Sequence, residues 1–382
     1  MRIESFELER WMTTWETVVS YDLAESGIQP MSVNQLGALT GEQDRIASIL
    51  DEPLLYSEAC GTIQLREIIA GLYENTDPDN VLVTTGAIEA NFLLFNTLLV
   101  QGDEVIVVDP CYQQLASVPK ALGCIVKPWK LTPENGFRYQ LDELQILITP
   151  RTRMIVINSP HNPSGAILTD EELDRVYAMA ESVGAWVLSD EAYRWLSLPD
   201  QPKCAGPARD RGDSGLSVGT LSKPFGLPGL RIGWMVAPAD VVKECWSFRD
   251  YISLSPGYLN DRLAQIVLEH RTTLMERTRS IASGNLALVE QWIREREGLI
   301  EWVRPQGGLL GLLRYQMDIP SAELADDLAR DASVMLAPGS AFGHEHHLRI
   351  GFGAEPERFR EGMDVAGNYI ERVASERGVR NR

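Results

Sequence analysis

Between about residues 62 and 240, helical segments alternate with short apolar runs: "NVLVTT", "DEVIVVDP", "CIVKPW", "RMIVINSP", "AWVLSDEAY", "LSVGTLS" and "RIGWMVAP". Each run is rich in Val and Ile and stops at Gly, Pro, Asp, Asn or Ser. Runs apolar on both faces and separated by helices predict a mostly parallel sheet covered on each side. Such sheets bind ligands at the carboxyl ends of their strands, and the polar residues of this chain cluster just past those ends. From about 255 to 300 the pattern becomes one long helical stretch, followed by strand-like "GGLLGLLRY" and "HLRIGFG" and helical "SAELADDLARDA". The pattern therefore predicts an α/β protein. A large domain spans 41–255, and a smaller α+β domain is built from 1–40 and 256–382, with residues 1–40 also supplying an N-terminal arm.

Composition narrows the function classes. The chain has 382 residues, 44% of them hydrophobic, and a formal charge of −19. A surface this acidic, with no basic run, repels nucleic acid and anionic membranes and tolerates a cationic small substrate. No apolar run is long enough to span a bilayer, and "MRIESFELERWMTTWE" is amphipathic rather than signal-like. Five scattered cysteines without a CxxC pair fit free thiols in the cytoplasm better than a disulfide framework.

The strand ends carry a constellation. Gly86-Ala87-Ile88 opens a helix whose free N–H groups would face an anion. Tyr112 follows the second run, and Asn162 lies in the stiff turn "HNPSG". "SDEAY" places Asp190 and Tyr193 at the end of an apolar strand, where a carboxylate is costly without a cation to meet it. "GTLSKPFGLPGLRIGW" delivers Thr220, Ser222, Lys223 and Arg231 from one crowded turn.

One ligand accounts for all of these groups: a pyridine aldehyde bearing a phosphate, that is, pyridoxal 5′-phosphate. Lys223 is the amine for a Schiff base, and Asp190 keeps the ring nitrogen protonated. At about 4 Å and an effective dielectric of about 20 that pairing is worth roughly 4 kcal/mol before desolvation. Asn162 and Tyr193 are donors for the ring oxygen. Ala87, Ile88, Thr220, Ser222 and Arg231 are donors for the phosphate.

In family order, "YSEACGTIQLR", "TTGAIEA", "DPCY", "NSPHNPSG", "SDEAY", "SKPFGLPGLRIGW" and "HLRIGFG" resemble the fold type I pyridoxal-phosphate enzymes of aminotransferase class I/II, over nearly the whole chain. The resemblance implies that Tyr112 stacks on the cofactor ring and that Arg349 binds the substrate α-carboxylate. It also implies a homodimer with shared sites, in which Tyr56 reaches the neighbouring subunit's phosphate. "FELERWM", "YDLAESGI", "LTPENGF" and "FRDYISLSP" are further similar to capreomycidine-synthase-like proteins, which cyclise a hydroxylated arginine in antibiotic biosynthesis. Ser26-Gly27-Ile28 stands where the family carries G-x-P near the substrate, and Pro224 directly follows the lysine.

Competing readings remain for several residues. Asp190 could cap a helix, and Arg349 could serve a structural ion pair. Glu89 and Glu191 read as structural. His344, His346 and His347 read as a solvated loop with no metal. Trp11 and Trp15, four apart on an amphipathic helix, read either as core or as a contact for a partner subunit. The leading expectation is an enzyme, a transferase or lyase, that acts at Cα of an amino-acid substrate, with Lys223 as the base. The same residues serve transamination, loss or replacement of a β-substituent (C–S cleavage or ring closure), and oxygen-dependent deamination. A cofactor-sensing binding protein is the rival class, and the strongly negative charge speaks against it.

Overall fold

A computed structural model describes residues 2–377. In chain order the strands are β1 (Tyr21–Asp22), β2 (Val81–Thr84), β3 (Glu104–Asp109), β4 (Ile125–Lys130), β5 (Thr152–Asn158), β6 (Trp186–Asp190) and β7 (Gly215–Thr220). They continue with β8 (Gly233–Val236), β9 (Ile300–Trp302), β10 (Leu310–Tyr315), β11 (Val334–Met335), β12 (Ala337–Pro338) and β13 (His347–Gly351). The seven apolar runs become one seven-stranded sheet in the order β2-β8-β7-β6-β5-β3-β4. β8 pairs antiparallel with both neighbours, and every other pairing is parallel.

Five of the strands read as continuous apolar runs because neither face meets water: β2, β7 and β8 are buried at every residue, and β3 and β6 at all but one. Helices on one face pack Leu93, Leu94 and Phe95 against Val105, Val156 and Val218. Helices on the other pack Leu173 and Val176 against Ile106, Ile155 and Val187. The order of the strands brings the carboxyl ends of β2, β3, β5, β6 and β7 to one edge of the sheet.

A four-stranded sheet, β12-β13-β10-β9, is antiparallel throughout. It is backed by the helices Ser321–Ala332 and Pro356–Arg377. β1 pairs in parallel with β11, so the N-terminal segment is sewn to the C-terminal part of the chain. The helical stretch after residue 255 is two helices, Tyr258–Glu269 and Arg271–Arg294, with His270 at the junction.

Trp11 and Trp15 are engaged within their own chain, as one of the two readings expected, since both indole Nε1–H groups donate to Asp326 Oδ1, at 2.9 and 3.0 Å. The two rings share one face of the helix Glu7–Trp15, and that face meets the helix Ser321–Ala332. One expectation is corrected in part: His344 and His346 lie in a loop but are half-buried, His344 edge-on against Phe137 and His347, while His347 opens β13 and is buried. Burial holds the His344 and His347 imidazoles below their usual pKa, so they pack as neutral rings.

Glu89 and Glu191 are structural as read. Glu89 accepts from the Thr85 N–H at 2.5 Å and pairs with buried Arg249. Glu191 accepts from Ser217 Oγ at 2.5 Å and from the Ala208 N–H at 3.1 Å.

Candidate active site

Twelve of the candidate residues line one cavity of about 550 Å³ at the strand ends: Gly86, Ala87, Ile88, Tyr112, Asn162, Asp190, Tyr193, Thr220, Ser222, Lys223, Arg231 and Arg349. Gly27 lies just behind the wall, where an added Cβ would stand 3.4 Å from Lys223 Cδ. Tyr56 is elsewhere on the surface and is 85% exposed.

Gly86 precedes the helix Ala87–Leu98 with φ +82°, so the first helical N–H groups turn toward the cavity. That conformation suits glycine, and a Cβ there would also meet Arg231 Nη2 at 2.7 Å. The Arg231 guanidinium is fastened to the same turn by the Thr85 carbonyl at 3.3 Å, and its other nitrogen donates to the Pro228 carbonyl of its own turn at 3.2 Å. Thr220 Oγ1 and Ser222 Oγ lie 3.1 Å apart beside them. N–H groups, two hydroxyls and a guanidinium thus form a ready anion cradle at the N-terminus of a 12-residue helix.

Asp190, the last residue of β6, is 5% exposed. Its Oδ2 accepts from Asn91 Nδ2 at 2.9 Å and its Oδ1 from the Ala192 N–H at 3.1 Å. Burial raises its pKa, and these two donors oppose the rise. The carboxylate faces the cavity with no cation among its hydrogen-bond partners, a position that calls for a positively charged guest.

Arg349 on β13 is likewise buried. Nη1 donates to Asn162 Oδ1 at 3.2 Å, Nη2 donates to the Ala24 carbonyl at 2.7 Å, and the guanidinium stacks over Phe342. Its Nε, Asn91 Oδ1 and Gln114 Oε1 are buried and without a hydrogen-bond partner. Asn162 is held in turn, because its N–H donates to Asn158 Oδ1 while Asn158 Nδ2 donates to the Asp190 carbonyl.

Sequence reasoning missed several polar and charged residues of this wall. Asn91, a polar residue inside the apolar helix "AIEANFLLFNTLLV", carried a signal in its own misfit. Glu9, Glu16, Glu25 and Gln114 carried none, since their approach to the cavity depends on tertiary placement. Glu9 accepts from the Tyr112 hydroxyl at 3.0 Å, which lays the N-terminal helix across the cavity mouth.

A buried carboxylate facing a lysine across a cavity, with an anion cradle at one end, defines a site for a phosphorylated pyridine aldehyde. The chain belongs to the aminotransferase class I and II family, whose pattern matches residues 40–365. It is 34% identical to capreomycidine synthase of Streptomyces vinaceus, over 93% of this chain and 91% of that one. It is 32% identical to arginine–pyruvate transaminase of Pseudomonas aeruginosa, over 83% of each. Its structure superposes on a PLP-dependent aminotransferase from Streptococcus suis with a TM-score of 0.92 and 34% identity, covering 97% of this chain and 99% of that one. It superposes on the PLP-dependent cyclase OrfR with a TM-score of 0.89 and 30% identity, covering 98% and 99%. The protein is therefore a fold type I enzyme whose cofactor is pyridoxal 5′-phosphate. Among the described residues no helix is long and apolar enough to cross a membrane.

Proposed function

We propose that this enzyme works at Cα of an amino acid with a positively charged side chain, in the cytoplasm and in antibiotic-type specialised metabolism. The observation that carries the substrate class is the acidic wall. Glu9, Glu16 and Glu25 line the same cavity as Lys223, and the cations on that wall are Lys223, Arg231 and Arg349. Arg231 is committed to the anion cradle, Arg349 suits an α-carboxylate, and Lys223 is the amine for the cofactor. Glu25 is engaged by Lys223, so Glu9 and Glu16 are left for the far end of the substrate, where a guanidinium would be at home. Two relatives named above fit that reading: a capreomycidine synthase and an enzyme named for arginine.

Bound in the cavity, pyridoxal phosphate supplies the sink that draws electrons from Cα. The chain's own residues do the rest. Asp190 holds the proton on the ring nitrogen, and Asn162 and Tyr193 donate to the ring oxygen. Tyr112 covers the ring face. The Ala87 and Ile88 N–H groups, Thr220, Ser222 and Arg231 hold the phosphate, and Gly27 leaves room beside the lysine. Lys223 moves the proton at Cα. Transamination, expulsion of a β-substituent with ring closure of a hydroxylated arginine, and oxidation all start from this arrangement. We also propose the domain division 41–255 against 1–40 and 256–382, under which this cavity is lined from both units.

The test is a comparison of substrates in Glu9→Gln and Glu16→Gln. KM for arginine or hydroxyarginine should rise by about tenfold or more, the scale of losing a charge-assisted contact, while neutral amino acids change little. Equal losses for cationic and neutral substrates would remove the ground for a cationic substrate.

We further propose a homodimer with shared sites. Leu54, Leu55 and Tyr56 are 80%, 66% and 85% exposed, and Tyr251 is 92% exposed. So much exposed apolar side chain is better suited to an interface than to water. Mixing Lys223→Ala with Tyr56→Phe under subunit exchange should place both defects in one site of each heterodimer and neither in the other. Activity then recovers to about half per heterodimer. If it stays at the sum of the parents, Tyr56 serves its own chain.

A further inference from the structure

The contact of Glu25 with Lys223 has no place in the roles assigned above. Glu25 Oε1 stands 3.0 Å from Lys223 Nζ and also accepts the Gly27 N–H at 2.7 Å. The second bond does not involve the lysine, so the carboxylate is aimed at this spot whether or not Nζ is there.

The aiming is built into the backbone. Asp22 Oδ1 accepts the N–H groups of both Ala24 and Glu25, at 2.8 and 2.9 Å, fixing the turn that carries the glutamate. The Ile28 N–H donates to the Lys223 carbonyl at 3.1 Å, tying this segment to the backbone of the lysine itself. A Cβ at Gly351 or Gly353 would collide with the carbonyl oxygens of Glu25 and Gly27, so the segment is held from behind as well. A surface glutamate reaching for a nearby amine would need none of these restraints.

We propose that Glu25 is the dedicated counter-ion of the free Lys223 amine, a positioning residue that holds Nζ in place and charged whenever it is not covalently engaged. The inference rests on the reading of Lys223 as the amine that carries the cofactor. The groups facing Nζ are Glu25, Tyr193 and Arg349, and those facing the Glu25 carboxylate are Lys223, Arg349 and Asp22. Burial and Arg349 press the lysine toward neutrality. The nearby Glu25 and Tyr193 outweigh them, so its pKa stands above the usual lysine value. Burial pushes Glu25 upward, but Lys223 and the Gly27 N–H outweigh it and leave the carboxyl below its usual value. The proton therefore resides on Nζ. An amine held this way keeps its proton tightly and must shed it before it can take one from Cα.

The pair is read most directly without turnover. The full-length chain, freed of cofactor, is labelled with an amine-reactive acylating reagent over a range of pH, and the peptide containing Lys223 is quantified. The labelling midpoint of Lys223 should lie above that of an ordinary lysine. It should fall by at least about one pH unit in Glu25→Gln and be largely kept in Glu25→Asp. Gly27→Ala is a second route, because its Cβ would stand 3.0 Å from Glu25 Oε1 and displace the carboxylate, again lowering the midpoint. In the holoenzyme, the pH at which the visible band changes form should move down in Glu25→Gln. A wild-type midpoint like that of any surface lysine, or midpoints unmoved in folded Glu25→Gln and Gly27→Ala chains, would overturn the proposal. Failure of the chain to gain a visible band with pyridoxal phosphate would strike instead at the role given to Lys223, and the labelling result would still stand by itself.

Discussion

Lys223→Ala should abolish turnover while leaving a folded chain that still retains pyridoxal phosphate non-covalently. The expectation follows from how the site divides its work. The anion cradle at Gly86–Ile88, Thr220, Ser222 and Arg231 is held by its own internal bonds. None of those bonds passes through Nζ, whose hydrogen bond goes to Glu25. Removing the amine therefore removes the covalent link and the proton carrier, while phosphate binding persists. Activity should fall to background, a loss of the scale seen when a covalent catalyst is deleted, at least about 10⁴-fold. Borohydride reduction of the unmutated holoenzyme followed by peptide mapping checks the assignment. A label on any lysine other than Lys223 would sink it.

The parts of this site that were legible in the sequence are those fixed by local structure. A parallel strand ends where its apolar run ends, so Asp190, Asn162, Thr220 and Lys223 could be placed at the carboxyl edge from pattern alone. Gly86 announced a helix start, and its φ of +82° accords with that. What the pattern cannot carry is contact between elements far apart in the chain. Glu25 meets Lys223 across 198 residues, and Asn91 meets Asp190 across 99. A lone polar residue in an apolar helix hints at a buried partner without naming it. The spacing of Trp11 and Trp15 marks one apolar face, but a helical face does not say which residue meets it, and here Asp326 of the same chain receives both indole N–H groups. His347 reads both as strand, in "HLRIGFG", and as loop with His344 and His346, because polar residues run up to the start of the strand. In the fold it begins β13, in register with Arg314.

Asp190→Asn should separate catalysis from stability. The carboxylate lies at the end of a buried strand, and its pKa is raised by burial against the pull of the Asn91 amide and the Ala192 N–H. A carboxyl whose folded pKa is raised favours the folded state most fully below the unfolded value of about 3.9. That contribution is lost as pH rises through the folded pKa, so at neutral pH the cofactor-free chain bears a buried charge at a cost. Asparagine removes the charge and keeps the shape. Its Oδ1 can still accept the Ala192 N–H. The amide replacing Oδ2 can donate to Asn91 once the Asn91 side chain turns over, because Asn91 Oδ1 has no partner in the present arrangement. The cofactor-free variant should thus melt at or above the temperature of the unmutated chain at neutral pH, with the difference shrinking as pH falls toward the carboxyl's folded pKa. Turnover should move the other way. Without a carboxylate the ring nitrogen loses its proton near neutrality and the electron sink weakens, so kcat should fall by about 100-fold or more. Thermal melts of the cofactor-free chains, together with single-turnover rates of the loaded ones, measure both halves. A variant that melts well below its parent would show that Asp190 is there for the fold. Near-normal turnover would show that no ring-nitrogen partner is needed, and either result would undo the role given to this residue.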